Sequence, residues 1–309
     1  MYDVIVIGGG PAGLGGALPL GRQRRRVLVV DGGRPRNAPA EEMHMFLGRD
    51  GFPPAELRRI GREELAVYPS VEFRGTEVVS VSGEADAFEA VLDGGERVRA
   101  RRLLLATGQV DRMPGIEGFA ELFGRGVYHC PFCHGYETRE QPLAVLGPDA
   151  GHAMLALYLT DRFSADVVLC TLGGPAPQEL REHLARQGVA VEEEPLLKVE
   201  RLSPAALRLH FASGRTLDRS ACYHRPAHGQ HSALASELGC ELLPDGTVRV
   251  DERQRTTVPG VYAAGDMARL EALPAPLAFV ITGAADGTRA AIWMDQELFL
   301  SDMGLRPPA

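Results

Sequence analysis

One stretch near the start narrows the possible folds more than any other. Val4-Ile5-Val6-Ile7 is a β-branched run of the kind a buried parallel strand uses. It leads straight into Gly8-Gly9-Gly10-Pro11-Ala12-Gly13, and a helical pattern follows from Leu14 to Leu20. A second buried run, Val27-Leu28-Val29-Val30, ends in Asp31. Gly8, Gly10 and Gly13 satisfy G-x-G-x-x-G. The first glycine permits the tight turn, the second lets a pyrophosphate reach the backbone, and the third lets helix pack on strand. Alone the motif is weak; the strand before it, the helix after it and Asp31 closing the next strand make it specific. The expectation is a dinucleotide bound by Gly8, Gly10, Pro11, Ala12 and Gly13. Its phosphates would lie on the helix N-terminus and its adenosine ribose on Asp31.

A weaker echo begins with the strand Leu143-Ala144-Val145-Leu146 and the turn Gly147-Pro148-Asp149-Ala150-Gly151. A helix from Met154 to Leu159 and the strand Val167-Val168-Leu169-Cys170 complete it. Two such plans in 309 residues predict an α/β protein with two Rossmann-like nucleotide-binding domains. Arg112-Met113-Pro114-Gly115 reads as the crossing into the second domain and Leu243-Pro244-Asp245-Gly246 as the return. Residues 1–112 and 247–309 then form one discontinuous domain and 113–246 the other.

Composition removes whole classes of function. A hydrophobic share of 45% is too high for a disordered chain. With 33 basic and 41 acidic residues, the net charge of −8 disfavours nucleic acid or an anionic membrane as partner. No apolar run reaches the roughly eighteen residues a membrane helix needs. The chain enters its first strand without a basic, cleavable leader. With only 5 scattered cysteines, it fits a reducing cytoplasm rather than export.

Two further segments carry chemistry. Gly260-Val261-Tyr262-Ala263-Ala264-Gly265-Asp266 is a strand ending in a turn with a carboxylate. On its own Asp266 could be a helix cap. Beside the first motif, Gly265 and Asp266 point to FAD, whose ribityl chain needs a second anchor. A helix starting near Val280 would aim its dipole at the flavin ring. The second segment is Tyr128-His129-Cys130-Pro131-Phe132-Cys133-His134-Gly135-Tyr136-Glu137. C-x-x-C-H allows haem attachment, a zinc half-site, an inert buried pair, or a redox couple. Dithiol–disulfide exchange is favoured by the neighbouring α/β pattern, with His129 and His134 placed to stabilise a thiolate or carry its proton.

In this order, the FAD fingerprint, the C-x-x-C pair and the returning Gly-Asp turn resemble the low-molecular-weight thioredoxin reductase family over nearly the whole chain. The resemblance implies a homodimer whose discontinuous domain binds FAD. Ala106-Thr107-Gly108 would be a further FAD-side turn, Cys133 would lie against the flavin, and Cys130 would exchange with substrate. Phe279 stands where reductases often carry a polar flavin contact, with Val280 beside it.

The departures are concentrated in the second domain. Pro148 and Asp149 replace the second-glycine region of the NADPH turn, Cys170-Thr171-Leu172-Gly173-Gly174 replaces the usual His-Arg-Arg run, and His224-Arg225-Pro226-Ala227 replaces a later glycine turn. No arginine in sequence takes over the 2′-phosphate, although Arg181 could be recruited. Residues 113–246 therefore read as a degenerate NADPH-type domain carrying the redox motif. The cysteine string resembles that of the FAD-dependent dithiol oxidases of gliotoxin and holomycin type, which need no NADPH and pass electrons to oxygen. In that branch the base maps to His129, and His44 to Gly51 resembles the branch's stretch near the flavin. The expected partner is a small dithiol or disulfide, or a thioredoxin-like protein, with no metal. The rival expectation is a disulfide reductase fed by NADPH, ferredoxin or a second flavin.

Overall fold

The computed structural model describes residues 1–305. Tertiary contacts divide the chain into two units. The first comprises 1–38, 52–110 and 228 onward; the second comprises 39–51 and 111–227.

The first unit is built on a seven-stranded sheet. Its parallel core runs in the order Val71–Arg74, Val27–Val30, Tyr2–Ile7, Arg97–Leu105, Val261–Ala263. The long strand Arg97–Leu105 serves twice. Its first half pairs antiparallel with Phe88–Leu92, and its second half pairs parallel with Tyr2–Ile7 and Val261–Ala263. Alternation along Val4-Ile5-Val6-Ile7 supplies two cores. Val4 and Val6 pack with Ala12, Leu14 and Ala17 on one face. Ile5 and Ile7 pack with Phe88, Leu103 and Leu105 on the other.

The second unit has a five-stranded parallel sheet, ordered Ala190–Glu192, Val167–Cys170, Leu143–Leu146, Ala221–Tyr223, Val127–Tyr128. The helix Ala150–Arg162 follows the glycine turn and packs on this sheet. An antiparallel meander, Leu196–Ser203, Ala206–Phe211 and Thr216–Arg219, contributes to its second core.

The crossings differ from the expected ones in two ways. The return lies between Ala227 and His228, not at Leu243–Gly246. Leu234, Ala235 and Cys240 bury themselves with Ile5 and Phe88, so this stretch belongs to the first core. Leu243–Gly246 is a local turn, closed by Gly246 N donating to Leu243 O at 2.8 Å. Residues 39–51 group with the second unit, where Pro39 O accepts from Arg125 Nε at 3.2 Å.

The long helix Val280–Asp302 lies on the first helix, Pro11–Arg22, at backbone contact. A Cβ on Gly287 would stand 1.9 Å from Ala12 O, and one on Gly15 2.6 Å from Ala284 O. Gly287→Ala raises helix propensity, yet the crossing leaves no room for the methyl. The expected outcome is a net loss of about 1–3 kcal/mol, read as a lower thermal midpoint by circular dichroism.

Candidate functional site

In the first unit the sheet reverses strand order between Tyr2–Ile7 and Arg97–Leu105, and ligands of such sheets bind beyond the carboxyl ends at that point. The three glycines of the first turn occupy different environments there. Gly8 has φ +111°, and a Cβ on it would fall 2.2 Å from Ala106 O. Gly13 approaches the turn so closely that its Cβ would meet Gly8 O at 1.8 Å. Around Gly10 nothing lies within 4 Å of that position. Gly10 is the N-cap of the first helix, with Pro11 in its first turn and no side chain capping its amides. Open space before uncapped amides is the arrangement that receives a phosphate.

The other first-unit candidates converge on this turn. The Asp31 carboxyl lies 2.7 Å from a Cβ position on Gly9. Ala106, Thr107 and Gly108 continue the strand beside Gly8, and Thr107 Oγ1 donates to Met267 Sδ at 3.4 Å. Gly265 has φ +76°, and a Cβ on it would stand 2.9 Å from Ala12 Cβ, which sets the Asp266 turn close against the first helix. Phe279 is the N-cap of the helix starting at Val280, whose Gly283 lies against Gly265 and Ala12.

Sequence reasoning missed the cations and an amide. Arg62 pairs with Asp31 at 2.6 Å and Arg36 with Asp266 at 3.0 Å. No motif marks either arginine, because both contacts form between distant segments. Gln109, directly after Gly108, is 3% exposed, and neither its Oε1 nor its Nε2 has a hydrogen-bond partner. A buried amide left unsatisfied is costly unless a ligand or water completes it. The open glycine, the uncapped amides and this amide together fit FAD.

The second unit's corresponding turn is closed. Gly147, at φ +153°, faces the His152 ring, which a Cβ would meet at 2.1 Å. Asp149 caps the following helix through His152 N at 3.1 Å and accepts from His152 Nδ1 at 2.8 Å. His152 Nε2 in turn accepts from Arg225 N at 3.3 Å. The His152 ring, 4% exposed, stacks on His224 at 5.1 Å, and His224 donates through Nδ1 to Leu146 O at 2.6 Å. Burial is the first cause that lowers the His224 pKa, which keeps this ring neutral. The helix N-terminus that would receive a pyrophosphate is thus occupied by the chain's own carboxylate and imidazoles. Arg181 is paired with Glu193 at 2.7 Å. Arg225 stands nearer the turn, with Nη1 3.2 Å from a Cβ position on Gly151. The resident side chains do not fit a pyridine dinucleotide in its usual pose.

The cysteine motif follows the edge strand Val127–Tyr128 of this sheet. Cys130 is the N-cap of the short helix Pro131–His134, and its carbonyl accepts from Cys133 N and His134 N, each at 3.2 Å. Both cysteines are therefore on one turn, with Cys130 8% exposed and Cys133 half-buried. His129 stacks on Phe123 at 5.8 Å and His134 on Tyr128 at 4.1 Å. Burial, then the nearby His129 and His44, lowers the His134 pKa to about 4, so this imidazole is neutral at pH 7 and able to accept a proton.

The remaining cysteines are of another kind: Cys170, Cys222 and Cys240 are buried thiols, and burial pushes Cys170 up to about 12. Among the described residues no group of three or more His, Cys, Asp or Glu is arranged to hold a metal. None of the described helices is long and apolar enough to cross a membrane.

The geometry at Gly10 yields a direct check. Its φ of −77° suits alanine, and the methyl meets no neighbour. Gly10→Ala should fold with an unchanged circular dichroism spectrum yet purify with most of its flavin absorbance lost, because the methyl enters the phosphate's space.

The pattern of the pyridine nucleotide-disulphide oxidoreductase family matches residues 2–281. Thioredoxin reductase tcpT of Claviceps purpurea is 34% identical over 86% of this chain and 86% of its own length. A crystal structure of HlmI is 38% identical, covers 98% of this chain and 94% of its own, and superposes with a TM-score of 0.90. TrxB from Bacillus anthracis, at 30% identity, covers 98% and 100% respectively with a TM-score of 0.90. The chain belongs to the pyridine nucleotide-disulphide oxidoreductase family, as a thioredoxin reductase-like flavoenzyme whose cofactor is FAD.

Proposed function

We propose that the protein oxidises a small dithiol to a disulfide through Cys130 and Cys133, with oxygen as the final acceptor and without NADPH. The observation that carries this reading is the closed second turn. Asp149, His152 and His224 fill the place of a pyridine nucleotide's phosphates, while the redox motif on the same sheet is intact. In this reading the first unit is the FAD-binding domain, with Gly8, Gly10, Pro11, Ala12, Gly13, Asp31, the Ala106–Gly108 turn, Gly265, Asp266, Phe279 and Val280 around the cofactor. The second is a nucleotide-binding domain that has lost its nucleotide.

The thiol chemistry balances as follows. One substrate thiol gives its proton to His129 or His134, and its thiolate attacks Cys130 Sγ of the enzyme disulfide. A mixed disulfide forms and Cys133 leaves as thiolate. The second substrate thiol, deprotonated in turn, attacks the substrate sulfur of the mixed disulfide and releases Cys130. Substrate has lost two electrons and two protons, and the enzyme pair has gained the electrons. The chemistry FAD supplies when bound is acceptance of that electron pair, with oxygen then reduced to peroxide. His129 and His134 hold the protons at the sulfurs. Only their neutral forms can accept a proton, and burial holds His134 in that form while making it a weak base.

A homodimer and a cytoplasmic setting belong to the same reading, on the resemblance and on the sparse cysteines. A second reading runs the electrons the other way, toward a disulfide or a thioredoxin-like protein. It is favoured by the relatives that carry the name thioredoxin reductase. The identity of the reductant separates the two.

Under anaerobic conditions a small dithiol should bleach the flavin of the purified protein, and air should restore its colour. Cys130→Ser and Cys133→Ser should each abolish bleaching. Rapid bleaching by micromolar NADPH would refute the oxidase reading.

A further inference from the structure

We propose that His44 is a positioning residue of the thiol chemistry: from the loop of residues 39–51 it ties down the turn after the redox helix and governs the protonation of His134. The role given to His134 rests on the reading above, whereas the coupling between the two imidazoles does not.

The loop is built to present this side chain. Met45 takes φ +69°, an uncommon conformation for a residue with a side chain. Asp50 holds it there, accepting from Met45 N at 2.8 Å, while Gly51 N donates to Met43 O at 2.9 Å. The same Asp50 lies 3.5 Å from His44 Nδ1. On the other side of the ring, Nε2 stands 3.7 Å from Glu42 and 3.7 Å from Glu137. Glu137 lies in the turn after the redox helix, so the contact joins loop to motif. The His44 side chain is itself only 13% exposed.

His44 meets His134 edge-on, with ring centroids 6.3 Å apart and planes at 82°. The His134 ring is stacked on Tyr128, and its Nδ1 is buried with no hydrogen-bond partner. The groups around His134 come from every neighbouring element. Tyr128 and then His129 come from the edge strand, Cys130 and Cys133 from its own helix, and Glu137 from the turn after it. The loop adds His44 with Glu42 and Asp50. Glu41 and Arg201 act on Tyr128 from further out.

The two rings stand close enough that a cationic side chain at position 44 opposes a proton on His134. The sign is therefore fixed. A neutral side chain at position 44 removes that opposition and raises the His134 pKa from about 4, so the neutral base is lost at a higher pH.

The test uses the FAD-loaded protein labelled at histidine carbon. The His134 resonance is assigned by its disappearance in His134→Gln and titrated by NMR. His44→Gln should move the His134 titration up by about one unit. His44→Arg, which keeps a cation beside the carboxylates, should restore it. The acid limb of anaerobic dithiol bleaching should follow each titration. An unmoved His134 titration in His44→Gln, with bleaching reduced equally at all pH values, would assign His44 a purely structural role and overturn the proposal. A titration that moves while the acid limb stays fixed would overturn the assignment to thiol chemistry. If dithiols fail to bleach the wild-type protein, the oxidase reading falls, and the NMR titrations still decide whether His44 governs His134.

Discussion

Backbone-to-backbone contact in the first unit is the constraint on which the cofactor site depends. Gly8 lies against Ala106, Gly13 against Gly8, and Gly287 against Ala12, at separations where no Cβ could stand. These contacts bring the carboxyl ends of two strands and the starts of two helices around one small space. Close packing of this kind tolerates no added methylene without displacement. It also leaves the amides after Gly10 without a side-chain cap. The glycines thus set both the packing and the affinity for an anion.

The second unit repeats the topology and reverses this choice. Its turn glycine is retained at Gly147, but the space it opens is taken by the His152 ring. The helix that follows has its amides capped by Asp149 instead of waiting for phosphate. A carboxylate at a helix N-terminus is stabilised by the dipole in the same way a phosphate would be. The N-terminus of that helix is therefore satisfied by the chain's own carboxylate.

What remains useful in that unit is its edge. The strand Val127–Tyr128 delivers Cys130 and Cys133 onto a single helical turn, backed by the Tyr128 and His134 rings. Burial keeps the His134 imidazole neutral, whereas burial elsewhere raises the thiols of Cys170, Cys222 and Cys240 and keeps them inert. The same desolvation that keeps an imidazole neutral at one position holds thiols protonated at others, since it always penalises the charged form.

The local plan was legible in the residues themselves. Val4 to Gly13 and Asp31 announced a nucleotide turn because strand, turn and helix are specified by neighbours in sequence. The spacing of Cys130 and Cys133 likewise marked a candidate redox pair. Asp149 was recognisable as an obstacle to phosphate. Only tertiary structure decided the rest: the pairing of Arg62 with Asp31 and Arg36 with Asp266, the closure of His152 on His224, and the meeting of His44 with His134. It also decided that residues 228–246 join the first unit, through the burial of Leu234 and Cys240. Those contacts link segments that are far apart along the chain, and nothing in local propensity or spacing encodes which distant side chains a fold will bring face to face.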